Sequence, residues 1–186
     1  MKFWTVQKRN VMEIIKEKGE YQPDFSKSDY LKLVPQMKDL YELILEAFNV
    51  INSENVPGLI FAFTVSDNEK VYEIENIETF YAIIQEKQAA IESLWKELCT
   101  QDVVIVELDY EEGFNPILVD INDFQFLIPP IVFPHPYTKS DFLRISKDIY
   151  NGKLKQSIFP SGIIQVHLPY IRRENIINIH NMFELV

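Results

Sequence analysis

Apolar positions along the chain recur with two periods, and the switches between them mark out the elements. Lys2 to Gln7 alternates weakly and is rich in aromatic and β-branched residues, which predicts a strand. Val11, Ile14 and Ile15 follow at helical spacing as far as Lys18, and Gly19 stands where a helix stops. Glu20 to Lys27, with Pro23 inside it, reads as a loop. A second helical region opens at Asp29 with Tyr30, Leu31, Leu33 and Val34, and Pro35 either starts a new helix or kinks this one. Met37, Leu40, Tyr41, Ile44, Leu45 and Phe48 recur in steps of three and four, an amphipathic helix that Pro57-Gly58 closes off.

Leu59 to Val65 is almost wholly apolar and β-prone, the pattern of a strand buried on both faces. Ser66 to Glu69 is a polar turn, and Val71 to Ile74 is either a short strand or the lead into the next helix. From Ile77 to Cys99 the helical period returns, with Phe80, Ile83, Ile84, Ile91, Leu94, Trp95 and Leu98 on one face. Val103 to Tyr110 alternates as a strand with one end in solvent, and Ile117 to Ile121 makes another. Asp123 to Ile128 suits a helical turn. Pro129, Pro130, Pro134 and Pro136 then impose an extended loop, and Thr138 caps a helix striped by Phe142, Ile145 and Ile149. The closing stretch, Gly162 to Phe183, reads as strand, short helical turn and strand, with the rest of the sheet laid against it.

Strands and helices follow one another without regular βαβ alternation. The expected architecture is therefore α+β, a single domain over residues 1–186 with a mainly antiparallel central sheet flanked by helices. With 186 residues there is length for one well-formed core and little for a second. An apolar fraction of 47% with 25% charged residues is that of an ordinary globular protein. No apolar run approaches the ~20 residues of a membrane span, and Met1 to Gln7 lacks the apolar core of a signal peptide. The single cysteine, Cys99, has no disulfide partner within the chain and reads as a small buried hydrophobe. The cytoplasm is the compartment these features predict.

Charge narrows the classes of partner. The chain carries −10, whereas residues 151–186 are net basic through Lys153, Lys155, Arg172 and Arg173. Such an acidic body disfavours nonspecific nucleic-acid binding, while the basic tail leaves room for a local anion site at Arg172-Arg173. The three histidines, His135, His167 and His180, share no metal-ligand spacing, so no metal site is expected. His167 and His180 fall in the two terminal strands, where they are either structural or a pair on neighbouring strands. Glu107, Asp109, Glu111 and Glu112 gather at a strand end and read as a solvated cluster rather than an acid pair. Asp120 and Asp123 flank a turn after an apolar strand and are better candidates. If Phe3 faces the core, Trp4 points the other way, towards a pocket.

Several fixed pieces carry a family resemblance. They are Phe3-Trp-Thr-Val-Gln7, Tyr30 with Gln36-Met37, Pro57 leading to Phe61-Ala-Phe63, Ile117-Leu-Val-Asp120 running to Phe124, and Ile164-Gln-Val166 with Ile171 and Glu174-Asn-Ile176. In these the chain resembles a bacterial domain-of-unknown-function family whose members open with a Leu-Trp-Thr-Ile-Gln type strand. Phe61 and Phe63 replace that family's tryptophans, and Phe124-Gln125 stands where it has Trp-His. The likeness implies a small cytoplasmic domain and no established activity. More distantly, the opening strand, helix and Gly19, with the closing strand, Ile171, Glu174 and Ile176, look like the outer pieces of an ADP-ribosyltransferase fold.

That second likeness implies a cleft for a nucleotide-like ligand such as NAD, with Gln165 where those enzymes often place a glutamate and Thr5 where they present His or Arg. An amide cannot supply the charge that stabilises a breaking glycosidic bond, so altered or absent catalysis is the expectation. Trp4, Thr5, Gln7, Asp120 and Gln165 are the expected ligand-binding residues. Two alternatives stand beside this one: an interaction protein that meets a partner through its acidic helical surface, and an active transferase with an unusual residue set.

Overall fold

Trp4 and its neighbours form the centre of the sheet, and the described helices pack on both of its faces. The computed structural model describes residues 1–33, 35–67, 70–86, 102–111, 115–121 and 161–181, with Cys99, Lys147 and Tyr150 besides. In chain order its elements are β1 (Lys2–Lys8), α1 (Arg9–Lys18), β2 (Glu20–Tyr21), a 3-10 turn (Phe25–Lys27), α2 (Asp29–Leu33), a second 3-10 turn (Pro35–Met37) and α3 (Lys38–Asn52). Then come β3 (Ile60–Asp67), β4 (Lys70–Tyr72), α4 (Ile77–Glu86), β5 (Val103–Asp109), β6 (Ile117–Asp120), β7 (Ile163–Leu168), β8 (Ile171–Arg172), a 3-10 turn (Arg173–Asn175) and β9 (Ile176–His180).

The main sheet runs β6-β7-β3-β1-β5-β9, with β4 paired to the end of β3, and β2 and β8 form a separate ribbon. Every pairing is antiparallel. The architecture is α+β, a mainly antiparallel sheet with helices against it, as the order of elements predicts. The closing stretch does not organise the sheet, however. It supplies β7 and the edge strand β9, while the centre belongs to β1, held between β3 and β5.

Three helix ends have a clear local cause. α1 finishes at Gly19, whose φ of 85° is a left-handed conformation that costs glycine little, and the Gly19 N–H donates to the Ile15 carbonyl at 2.8 Å. Lys16 and Lys18 in its last turn suit the negative end of the helix dipole. The Asn76 carboxamide oxygen accepts from the Thr79 N–H at 2.8 Å, a capping bond at the start of α4. After α3, the Asn49 side chain bonds both the N–H and the carbonyl of Val56, at 2.9 and 3.1 Å, and turns the chain towards β3.

The two sheet faces bury different clusters. On one, Val11 and Ile15 of α1 pack with Phe3, Ala62, Val106 and Val166. On the other, Phe80 and Ile84 of α4 pack with Trp4, Phe63 and Ile105, while Tyr41, Ile44 and Phe48 of α3 pack with Ile117 and Val119. That second face therefore carries two apolar clusters with a seam between them.

Several local expectations are corrected. Glu20–Lys27 is more than a loop, because Glu20 and Tyr21 pair with Arg172 and Ile171 and a 3-10 turn follows. β3 runs on through Ser66 and Asp67, since β4 is there to pair with them. β5 does have one end in solvent, at Asp109, and its other six residues are buried because it lies inside the sheet between β1 and β9. Cys99 is exposed in a turn, not a buried hydrophobe. The predicted helix beyond Glu86, the turn at Asp123, the proline loop with His135 and the Thr138-capped helix lie outside the described residues, apart from Cys99, Lys147 and Tyr150. No helix among the described residues is long and apolar enough to cross a membrane.

Candidate functional site

Strand register decides which of the candidate residues can meet. One row across the sheet reads Val119, Gln165, Phe63, Trp4, Glu107, Asn178, each opposite the next on the neighbouring strand. Directly paired residues share a face, so Trp4 and Gln165 both point to the α3 and α4 side. Thr5 and Gln7 are one and three residues on from Trp4, and Asp120 is one on from Val119. All three point to the α1 side. The sheet itself separates the five residues into two groups, so they do not line one cleft.

Each has its own local role. Trp4 is fully buried rather than pocket-lining: its Nε1–H donates to the Ile74 carbonyl at 3.0 Å, and its ring stacks near Phe80 and His180, with centroids 5.2 and 5.7 Å away. Buried Thr5 donates its hydroxyl to the Phe61 carbonyl at 2.7 Å and accepts from the Gln7 amide at 2.8 Å, so the pair satisfies itself at the β1–β3 junction. Asp120 is fully buried and accepts from the Ser161 N–H, which returns the chain to β7.

The other candidates resolve in similar ways. Glu107 is no solvated strand end. It is buried, accepts from Lys2 Nζ at 3.0 Å and Asn178 Nδ2 at 2.8 Å, and thereby raises the Lys2 pKa, first through the hydrogen bond and then through charge attraction. Asp109, at the exposed end, takes the N-terminal ammonium at 2.8 Å. Arg172 bonds Glu20 at 2.8 Å and lies 4.1 Å from the Tyr170 ring centre, while Arg173 donates to the Lys16 carbonyl, so both guanidiniums are engaged within the fold. His167 and His180 are not on neighbouring strands, since β3, β1 and β5 lie between β7 and β9. No group among the described residues could hold a metal ion.

Of the buried polar atoms with no hydrogen-bond partner among the described residues, those of two side chains sit together on β7. Gln165 and His167 are both fully buried on the seam face. His167 Nδ1 lies 3.1 Å from the Ile117 carbonyl, which fixes the proton on Nδ1 and leaves Nε2 a bare acceptor. Burial lowers its pKa from 6.5 to about 4. Neither polar atom of Gln165, nor His167 Nε2, meets a hydrogen-bond partner among the described residues. Each such atom costs about 1–3 kcal/mol, a large charge on a net stability of about 5–15 kcal/mol. The sequence signal was a polar pair in an otherwise apolar strand, Ile-Ile-Gln-Val-His-Leu.

Two surface features also stand out. β9 ends the sheet, and Ile177 and Ile179 on it are 41% and 47% exposed. Beside it a groove of about 440 Å³ is lined by Met12, Ile15, Ile176 and Ile179, with Lys16 and Arg173 among its charged residues. Sequence reasoning placed the strand but missed its edge position, because apolar alternation does not say which strand lies outermost. On α3, Glu42 and Glu46, with Glu54 beyond the helix, edge a second depression of about 440 Å³ and supply an acidic helical surface. No family model, no curated protein and no solved structure matches the chain, so both family likenesses rest on the motifs that suggested them.

Proposed function

We propose that this protein is an interaction module that receives an extended segment of a partner along β9 and in the groove between β9 and α1. The observation that carries the reading is the pair of exposed isoleucines, Ile177 and Ile179, on a strand with no described neighbour on its outer side. Such an edge offers unpaired backbone groups to an incoming strand, and side-chain pockets beside it give selectivity. Ile177 has no opposite residue on β5, where the register shifts, so regular pairing is available mainly from Asn178 onwards. The groove must then supply much of the grip, through an apolar anchor seated on Met12, Ile15 and Ile179. Lys16 and Arg173 outnumber Glu13 there, against a chain of −10 overall. The favoured occupant is therefore an extended peptide with acidic residues beside its apolar anchor.

The nucleotide-cleft reading, with NAD as ligand, has less support. Thr5 and Gln165 lie on opposite faces, both buried. Selection from a displayed random peptide library tests the proposal. Apolar-acidic peptides are expected to enrich on the wild type and to lose at least about tenfold in affinity on Ile179→Lys, about 1.4 kcal/mol. Binders indifferent to that change overturn it, as does a dimer in sedimentation that Ile179→Lys dissolves, which makes the occupant a second copy.

A further inference from the structure

We propose that Gln165 and His167 form the floor of an internal site for a small, uncharged, planar molecule that carries both an N–H donor and a carbonyl acceptor, of the carboxamide or nucleobase-edge class. The site is distinct from the β9 edge, and the proposal does not rest on the interaction reading. Gln165 and His167 are alternate residues of β7, so their side chains leave the same face roughly 7 Å apart. Gln165 stands where the α3 cluster and the α4 cluster meet, and His167 lies beside it within the α3 cluster. Phe63 and Val119 flank Gln165, and Phe61 and Ile117 flank His167.

The chemistry of the ligand follows from what these atoms lack. His167 Nε2 requires a donor, since its tautomer is set by the Ile117 carbonyl. The Gln165 amide requires one acceptor and one donor. A molecule offering two donors and one acceptor across that span satisfies all three atoms at once. Charge is excluded by the surroundings. In the row through Gln165, the carboxylate of Glu107 is separated from it by Phe63 and Trp4 and is already committed to Lys2 and Asn178. The neutral imidazole gives an anion nothing to pair with. Planarity suits the aromatic wall, in which Phe61 meets His167 edge-on at 5.3 Å and Tyr41 at 5.4 Å. The hydroxyls of Tyr30, Ser66 and Tyr81 and Nε2 of His180 are also buried without a hydrogen-bond partner among the described residues; of these, Tyr30 packs against the α3 cluster and Tyr81 is on α4.

A polar pair kept for a ligand burdens the unliganded fold, and that gives the test. Replacing an unsatisfied amide by an apolar side chain of similar shape removes the burden. Gln165→Leu is therefore expected to raise the thermal unfolding midpoint. Uracil, cytosine and acetamide at millimolar concentration serve as probes. At ten times its dissociation constant a matching probe should raise the wild-type midpoint by about 3–6 °C and leave Gln165→Leu unmoved. A lower midpoint for Gln165→Leu overturns the proposal, because it marks the amide as a structural group satisfied by internal water. Should that variant fail to fold, the nitrogen NMR signal of His167 Nε2 in the wild type decides. It moves when a probe donates into its lone pair, and a signal unmoved by all three probes overturns the site.

Discussion

The proton on His167 sits on Nδ1, facing the Ile117 carbonyl, and the buried ring resists a second one. Its pKa falls from 6.5 to about 4 because burial penalises the charged form, only partly offset by the backbone bond. In the unfolded chain the same ring titrates near its ordinary value. Between these two values the unfolded state takes up a proton that the folded state refuses, so stability falls as pH drops from about 6.5 to about 4 and is level below that. The loss from this one residue is on the order of 3 kcal/mol. Denaturant unfolding at neutral pH and near the lower value, compared with His167→Phe, measures it. The carboxylates titrate in both proteins and cancel in the comparison, and an equal acid slope in the two would remove His167 from the account.

At the scale of elements, the passage from α3 to β3 depends on a residue whose reason is invisible in sequence. Gly58 was legible only as part of a Pro-Gly terminator. In the fold, a Cβ there would stand 2.8 Å from the Pro23 carbonyl oxygen and 2.9 Å from its carbon, both backbone atoms that cannot swing aside. The same contact zone holds the Phe25 N–H on the Pro57 carbonyl at 3.0 Å. Gly58→Ala is expected to cost about 1–3 kcal/mol in denaturant unfolding, and a neutral result would mean that the Pro23 segment yields. Element types were readable because period and punctuation are local: β1, α1 with Gly19, α3 and β3 sit where the pattern puts them. Sheet order was not, since alternation says which face a residue takes and nothing about its neighbour strand. Glu107 shows the consequence. Beside Asp109 in sequence it reads as solvated, and only Lys2 and Asn178 on the flanking strands explain its burial. The site was legible to the same extent. Gln165 stands out in its strand, but whether Thr5 shares its face depends on long-range register.

The whole molecule is closed by its two ends. The opening strand is central, and the N-terminal ammonium is tied to Asp109. The final stretch supplies β7 between β6 and β3, β8 against β2, and β9 along β5. Such non-local pairing must be completed before most of the apolar surface is covered. A chain ending at Ser161 loses an internal strand, leaving β6 without a partner and the β3 edge bare together with Phe61 and Phe63. We expect it to show no cooperative thermal transition by circular dichroism and poor dispersion in its amide spectrum. Removing only residues 176–186 takes away an edge strand, with the His180 ring beside Trp4, and leaves β1, β3, β5 and β7 paired. That shorter truncation should unfold cooperatively at a lower midpoint. If the chain ending at Ser161 also unfolds cooperatively, β7 does not join the two halves of the sheet in the way its register implies. If both truncations lose the transition, the edge strand contributes more to the core than its exposure suggests.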